Sequence, residues 1–371
     1  MIVIKEVNSK SKLKDFVKFP FELYKGSKYW VPPIISEEKA TFNHKKNPLL
    51  RQTDTKLFLA YKNEKVVGRI AAIINWIEVN EMNIKKLRFG WFDFADDYDV
   101  SKALLKKVHE IAIKHKLNHI EGPMGFSNLD KVGVLTYGFD HIGTMVTSYN
   151  FEYYKKHFDF LKFKVEKEYL EHSHDFKDIK IEKYNRLEKI IRERYHLKVI
   201  NFKKTRKLMR YSDEMFDLFN QSYSKLSSFV KVTDIQKNYL KKKFLNFINP
   251  EYVKFVVNKK NELVAFAVVM PSFAETLQKI NGKLFPTGIF HLLNNKKSKT
   301  VNFLLIGIHP DFQNKGVHAI IFNEFHRTFI KNEINICRRT PELANNIAIQ
   351  NIWKDFNPKL IKKRCTYIKY L

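Results

Sequence analysis

The run Val301-Asn302-Phe303-Leu304-Leu305-Ile306-Gly307-Ile308 leads through His309 and Pro310 to Gln313-Asn314-Lys315-Gly316-Val317-His318, and the helical pattern Ala319 to Ile330 follows at once. A strand, a tight basic turn containing glycine, and a helix form a cradle for an anion. The first amides of a helix have no partners inside it, and the helix dipole adds partial positive charge at that end. Gly316 can take backbone angles that a Cβ forbids and allows close approach of a ligand to the chain.

Working outward, the chain carries the same order of elements twice. Phe58 to Ala72 reads as strand, polar turn, strand, and Phe255 to Val269 repeats it. After the first hairpin come Leu87 to Phe94, a helix from about Val100 to Lys114, and the short strand Asn118 to Pro123. After the second come the strand ending at Ile308, the helix to Lys331, and the strand Ile334 to Arg339 before Pro341. Both halves close alike: Tyr154-Lys155-Lys156-His157-Phe158 precedes a strand over Phe163 to Leu170, and Trp353-Lys354-Asp355-Phe356 precedes one over Leu360 to Leu371. A length of 371 residues fits two domains of roughly 170 to 200 residues each. The expected division is residues 1–172 and 186–371.

The spacing Gln313-x-x-Gly316-x-His318 resembles the (Gln/Arg)-x-x-Gly-x-(Gly/Ala) loop of the GNAT acyltransferases, in which backbone amides hold the pyrophosphate of coenzyme A. The resemblance implies an α/β fold, a mixed sheet flanked by helices, in two tandem GNAT domains. It implies acyl-CoA as cosubstrate and an amine as acceptor, with no metal. The implied cofactor residues are Ile306, Gly307 and Ile308 on the strand, whose backbone polarises the thioester carbonyl, and Gln313, Asn314, Lys315, Gly316, Val317 and His318 in the loop. His318 departs from the small residue of the pattern, and it either bonds a phosphate or faces the sheet. In the first half the matching position reads Ala95-Asp96-Asp97-Tyr98-Asp99-Val100-Ser101. Carboxylates there repel a pyrophosphate and no glycine opens the turn, so cofactor binding is expected in the second half alone.

Acyl transfer to an amine needs a base for the amine, polarisation of the carbonyl, and a proton for the leaving thiolate. Glu342 follows Pro341 and is expected to open the last helix, either in a polar role at the acceptor or as an ordinary dipole partner. Glu121 stands at the corresponding strand end of the first half. His309, before Pro310, is either a base or the residue that ends the strand. The family pattern Asn-x-x-Ala-x-x-Leu-Tyr has its nearest match at Asn345 to Trp353, where no tyrosine falls in the final turn. The indole N–H of Trp353 is not acidic at working pH, so water or another residue must serve, or chemistry is lost.

Other segments bound the reading. Phe19 to Pro33 suggests a packed cap, with Pro32 and Pro33 halting any helix. Glu121 to Tyr149 holds five of the twelve glycines, either a binding surface or a connection packed on the sheet. Pro271 to Lys299, with Gly282, Pro286, Gly288 and His291, is either a lid or an insertion. Glu171-His172-Ser173-His174-Asp175 and Lys177-Asp178 are expected as a solvated linker, since two histidines without a third ligand make no metal site. Helices are expected over Asp213 to Lys225 and Asp234 to Phe247, forming the acceptor groove by resemblance.

The net charge is +28, yet lysine occurs 55 times and arginine 12, and the cations are spread along the chain. Nucleic acid is therefore disfavoured as the main partner. Peripheral contact with an anionic membrane suits the charge. Met1-Ile2-Val3-Ile4-Lys5-Glu6 breaks into charge too early for a secretory leader, the apolar runs are shorter than the roughly 20 residues of a membrane span, and only Cys337 and Cys365 are present. The expected location is the cytoplasm, with peripheral attachment to the inner face of the membrane. A long-chain, sphingoid-type amine fits the aromatics, the lysines and the two irregular segments. Two other classes remain open: an aminoacyl transferase of the peptidoglycan-bridge type using charged tRNA, and a non-catalytic CoA-binding or scaffold protein.

Overall fold

The computed structural model describes residues 1–127, 129–176, 181–226, 229–244, 248–284, 288, 292 and 298–371. The first half begins with β1 (Ile2–Glu6) and the helix Lys10–Leu23, whose first turn is capped by Ser9 Oγ accepting from Lys12 N at 3.2 Å. The hairpin of β2 (Thr53–Lys62) and β3 (Lys65–Asn75) turns through Asn63 and Glu64, with φ of 49° and 63°. Two left-handed residues match the twist of the paired strands. Next come β4 (Lys86–Phe94), the helix Tyr98–Lys114, β5 (His119–Gly122), β6 (Val134–Tyr137), the helix Tyr153–Phe160 and β7 (Lys164–Asp175).

The second half follows the same order: the helix Glu182–Tyr195, β8 (Lys198–Asn201), the helices Ser212–Tyr223 and Asp234–Phe244, then β9 (Val253–Val257) and β10 (Leu263–Pro271). The helix Ala274–Ile280, β11 (Thr300–Ile308), the helix His318–Lys331, β12 (Ile336–Arg339), β13 (Glu342–Leu343), the helix Ile347–Trp353 and β14 (Lys359–Tyr370) complete it. Phe247, expected in a helix, lies outside the described residues, as do Pro286, His291, Lys177 and Asp178. No helix of the described residues is long and apolar enough to cross a membrane.

All of these strands join one mixed sheet, in the order β1-β2-β3-β4-β5-β14-β7-β12-β11-β10-β9-β8, with β6 beside β14 and β13 beside β7. The closing strands are exchanged between the halves: β14 pairs with β5 (Tyr367↔Gly122), and β7 pairs with β12 (Cys337↔His174). The stretch expected as a solvated linker is therefore strand. Glu171 and His174 are buried, and His174 Nδ1 donates to Phe356 O at 3.0 Å. A row of polar side chains gave the linker reading, but their partners come from distant segments, as where Arg364 pairs with Glu171.

One face of the sheet carries the helices Tyr98–Lys114 and Glu182–Tyr195 with His318–Lys331, each on its own apolar cluster. The other carries Lys10–Leu23 in the first half and Ser212–Tyr223 with Asp234–Phe244 in the second. The segment expected as a lid or insertion ties the halves together. The helix Ala274–Ile280 packs on Val31 and Ile34, Gln278 Nε2 donates to Lys28 O and Trp30 O at 2.9 Å each, and Ile35 N donates to Gly282 O at 3.0 Å. Within the glycine-rich stretch after Glu121, β6 is held to the following chain by Asn150, whose side chain bonds both the N–H and the C=O of Leu135.

Candidate active site

In the pairing of β10 with β11, Val268 faces Leu305 while Val269 faces Phe303, so Leu304 is an extra residue in a bulge. The parallel pairing of β11 with β12 stops at Phe303↔Arg339. There Thr340 turns the chain away, its Oγ1 donating to Phe303 O and Leu304 O at 3.2 Å. Beyond that point β11 has an open edge. His309 N donates to Val264 O at 2.8 Å, so by strand alternation residues 305, 307 and 309 direct their backbone toward β10, and Ile306 and Ile308 direct theirs to the opening. Both outward carbonyls are engaged by side chains: Tyr223 OH donates to Ile306 O at 3.0 Å, and Gln313 Nε2 donates to Ile308 O at 3.1 Å. The Ile306 and Ile308 N–H groups are left on the open edge. Gly307 is required by packing, since a Cβ would stand 2.3 Å from the ring of Phe266.

The loop continues from this edge. Pro310–Phe312 makes one tight turn, and Asn314 (φ 60°) and Gly316 (φ 79°) then bend the backbone through the left-handed region. Among the described residues, no acceptor pairs with the backbone amides of Asn314, Gly316, Val317 and His318. They form a concave row of donors at the head of the helix His318–Lys331. Lys315 lies 5.4 Å from the ring centres of Tyr195 and Phe312. His318 packs edge-on to Tyr184 and Phe322, and burial holds its imidazole below the ordinary value, so it is neutral at pH 7.

Edge and loop open into one cavity of about 870 Å³ between the halves. Ile306, Ile308, Gln313, Asn314, Gly316, Val317, His318, Glu342 and Glu121 all line it. Gly307, Lys315 and His309 do not. His309 ends the strand and accepts from Asp311 N at 3.3 Å through Nδ1.

The two carboxylates sit in opposite environments. Glu342 does not open a helix: it pairs in β13 with Leu170 of β7, and the last helix begins only at Ile347, capped by Asn346, whose side chain accepts from Ile349 N. Burial pushes its carboxyl up to about 7, against the pull of Arg339, whose Nη1 lies 2.9 Å from Oε2. Burial also pushes Glu121 up, but Lys86 at 2.9 Å and Lys167 at 2.7 Å outweigh it and hold the carboxyl at about 2. One carboxyl is poised to exchange a proton near neutrality, and the other is a fixed charge.

Solved structures share the fold over the whole chain. A tandem GNAT protein from the clavulanic acid biosynthesis pathway superposes with a TM-score of 0.59 at 7% identity, covering 100% of this chain and 98% of that one. The chain has the tandem GNAT fold. A GCN5-related glucosamine N-acetyltransferase region of a fungal multi-domain GH3 β-N-acetylglucosaminidase gives a TM-score of 0.58 at 9% identity, covering 100% of this chain and 38% of that one. Among curated proteins, Protein YghO of Escherichia coli strain K12 is 23% identical over 374 residues, 98% of this chain and 94% of that protein. A bacterial ceramide synthase of Caulobacter vibrioides is 25% identical over 317 residues, 83% of this chain and 80% of that protein. No family model matches the chain.

The first GNAT unit shows what a filled edge looks like. Ala95 N donates to Val67 O, so Phe94 directs its backbone to the opening, as Ile308 does in the second unit. Both of its groups are taken: Phe94 N donates to Tyr154 OH at 3.2 Å, and Tyr153 OH donates to Phe94 O at 2.5 Å. The following helix start is occupied by Asp97, which accepts from Asp99 N at 2.9 Å and pairs with Lys62 at 2.7 Å. Beside it, Ser101, His157 and Asp96 are joined by contacts of 2.8 and 2.9 Å. Ser101 has no exposed surface, so this trio is a plug and not a hydrolytic centre. Tyr223, Arg339, Lys86 and Lys167 escaped the reading of the sequence. Tyr223 lies 83 residues from the carbonyl it binds, and no local spacing marks it.

Proposed function

We propose that the protein is an acyl-CoA-dependent N-acyltransferase, with CoA on the second half and a long-chain amine as acceptor. The observation that carries this reading is the single cavity joining the donor loop, the open edge of β11 and Glu342 to an apolar wall. An open strand edge pairs with an extended chain bearing amides, which pantetheine is. The loop amides and helix start suit the pyrophosphate. The Ile306 N–H polarises the thioester carbonyl, and Glu342 in its ionised form takes the proton of the amine. Glu121, locked between two lysines, orients the polar end of the acceptor instead.

Leu208, Met215, Phe216, Phe219, Leu240 and Val268 line the rest of the cavity, a surface for hydrocarbon. The relative named a bacterial ceramide synthase supports the same class, a ceramide being an amide of a long-chain base. A net charge of +28 would bring the protein to anionic bilayers where such amines reside. In the first half, Tyr153, Tyr154 and Asp97 stand where a second CoA would lie, so one cofactor binds per chain.

The test is titration with CoA followed by turnover of palmitoyl-CoA and sphinganine, read as thiol release and as amide by mass spectrometry. CoA should raise the unfolding temperature, and Gly316→Trp should abolish that shift. Absence of CoA affinity at millimolar ligand refutes the reading. A stability gain with tRNA and none with CoA favours aminoacyl transfer.

A further inference from the structure

Thioester aminolysis ends with sulfur holding the electron pair of the broken C–S bond, and that sulfur needs a proton. The final helix supplies no hydroxyl, and its Trp353 is buried against Arg339 and His174. Several hydroxyls line the cavity, but most are tied elsewhere. Ser222 Oγ donates to Leu218 O at 2.6 Å, Ser212 Oγ donates to Met209 O at 2.7 Å, and Thr340 holds the bend after β12. Tyr223 differs in place and partner. It ends the helix Ser212–Tyr223, its ring rests on Phe219 at 4.4 Å, and its hydroxyl reaches the outward carbonyl of Ile306 on the open edge itself.

We propose that Tyr223 is the acid of the reaction, giving its proton to the departing thiolate; the inference rests on the acyl-CoA reading above. An amide N–H of a bound extended chain takes the Ile306 carbonyl and frees the Tyr223 O–H to turn to the sulfur. The amine nitrogen bonds the carbonyl carbon while Glu342 takes its proton. The C–S bond then breaks with its pair on sulfur, and sulfur takes the proton of Tyr223. The proton held by Glu342 returns to the phenolate, so both residues end as they began and the products are an amide and a thiol. Tyr223 and Glu342 line the same cavity, so acid and base share one site, and burial keeps the phenol protonated at neutral pH until sulfur takes its proton.

The experiment compares wild type with Tyr223→Phe, which keeps the ring and its packing, on two acyl donors. With palmitoyl-CoA, kcat should fall about 30- to 1,000-fold with CoA affinity unchanged. With an S-(4-nitrophenyl) thioester of the same chain, whose thiolate leaves without a proton, the variant should stay within about threefold of wild type. An equal loss on both donors, or weakened CoA binding, makes Tyr223 a structural clamp on β11 and overturns the proposal. An unchanged kcat with palmitoyl-CoA overturns it as well. Wild-type protein that binds CoA but releases no thiol with any amine removes the acyl-transfer reading and this acid together.

Discussion

Glu342→Gln separates the demands of chemistry from those of folding. The folded carboxyl titrates at about 7, against 4.5 without the fold. The ionised base is therefore lost as pH falls through 7, and kcat/KM of the wild type should drop about tenfold per unit below that point. Gln cannot take the amine proton, so at pH 8 kcat/KM should fall about 10²- to 10⁴-fold, and any acid limb that remains belongs to the amine. Stability should move the other way. A raised carboxyl pKa means that the folded state binds more protons between the two values, so its contribution is complete below 4.5 and is lost as pH rises through 7. At about 1.36 kcal/mol per unit, ionising this buried group costs the folded state about 3 kcal/mol at pH 8. Leaving Arg339 without its counter-charge offsets part of that gain, so the expected net stabilisation is about 1–3 kcal/mol. Urea unfolding at pH 8 and pH 4 measures it: the variant should gain at pH 8 and match wild type at pH 4, where the group is neutral in both states. A variant within threefold of wild-type activity, or one with equal stability differences at both pH values, refutes the argument.

Glu121→Gln should act oppositely: its carboxyl, held at about 2, contributes stability above 4.5 that is lost as pH falls toward 2, so the variant loses up to about 3 kcal/mol at pH 7 in denaturant titration and keeps the acid limb near 7. Gly307→Ala places a Cβ against Phe266 and should cost about 1–3 kcal/mol, seen as a lower unfolding temperature. Phe216→Ala enlarges the apolar wall and should shift the preference among acyl-CoA and amine chain lengths toward longer chains, measured by competition with detection by mass, at a cost of about 3–5 kcal/mol in stability if the wall does not collapse.

Much of the fold was legible because it rests on local chemistry. The hairpins at Asn63 and Asn258 to Asn261, the helix begun by Asp97 and the glycine turn at Gly316 each depend on residues close in the chain. Pro341 before Glu342 suggests a helix start, but pairing with Leu170 of β7 places Glu342 in a strand, and burial there gives the carboxyl its character. The polar stretch Glu171 to Asp175 read as linker because its partners, Arg364, Cys337 and Phe356, lie far along the chain.

The sequence by itself determined two halves of one plan, the helix and strand order in each, and a glycine turn before the helix of the second half where the first has a carboxylate, because turn residues and hydrophobic period act over a few residues. Only the tertiary structure decided the exchange of β7 and β14, the filled edge at Phe94 against the open one at Ile306 and Ile308, and the placing of Tyr223 and Glu342 on one cavity. Those features depend on groups brought together across tens to hundreds of residues, where desolvation and unpaired backbone amides set the chemistry, and neither quantity is carried by any short stretch of the chain.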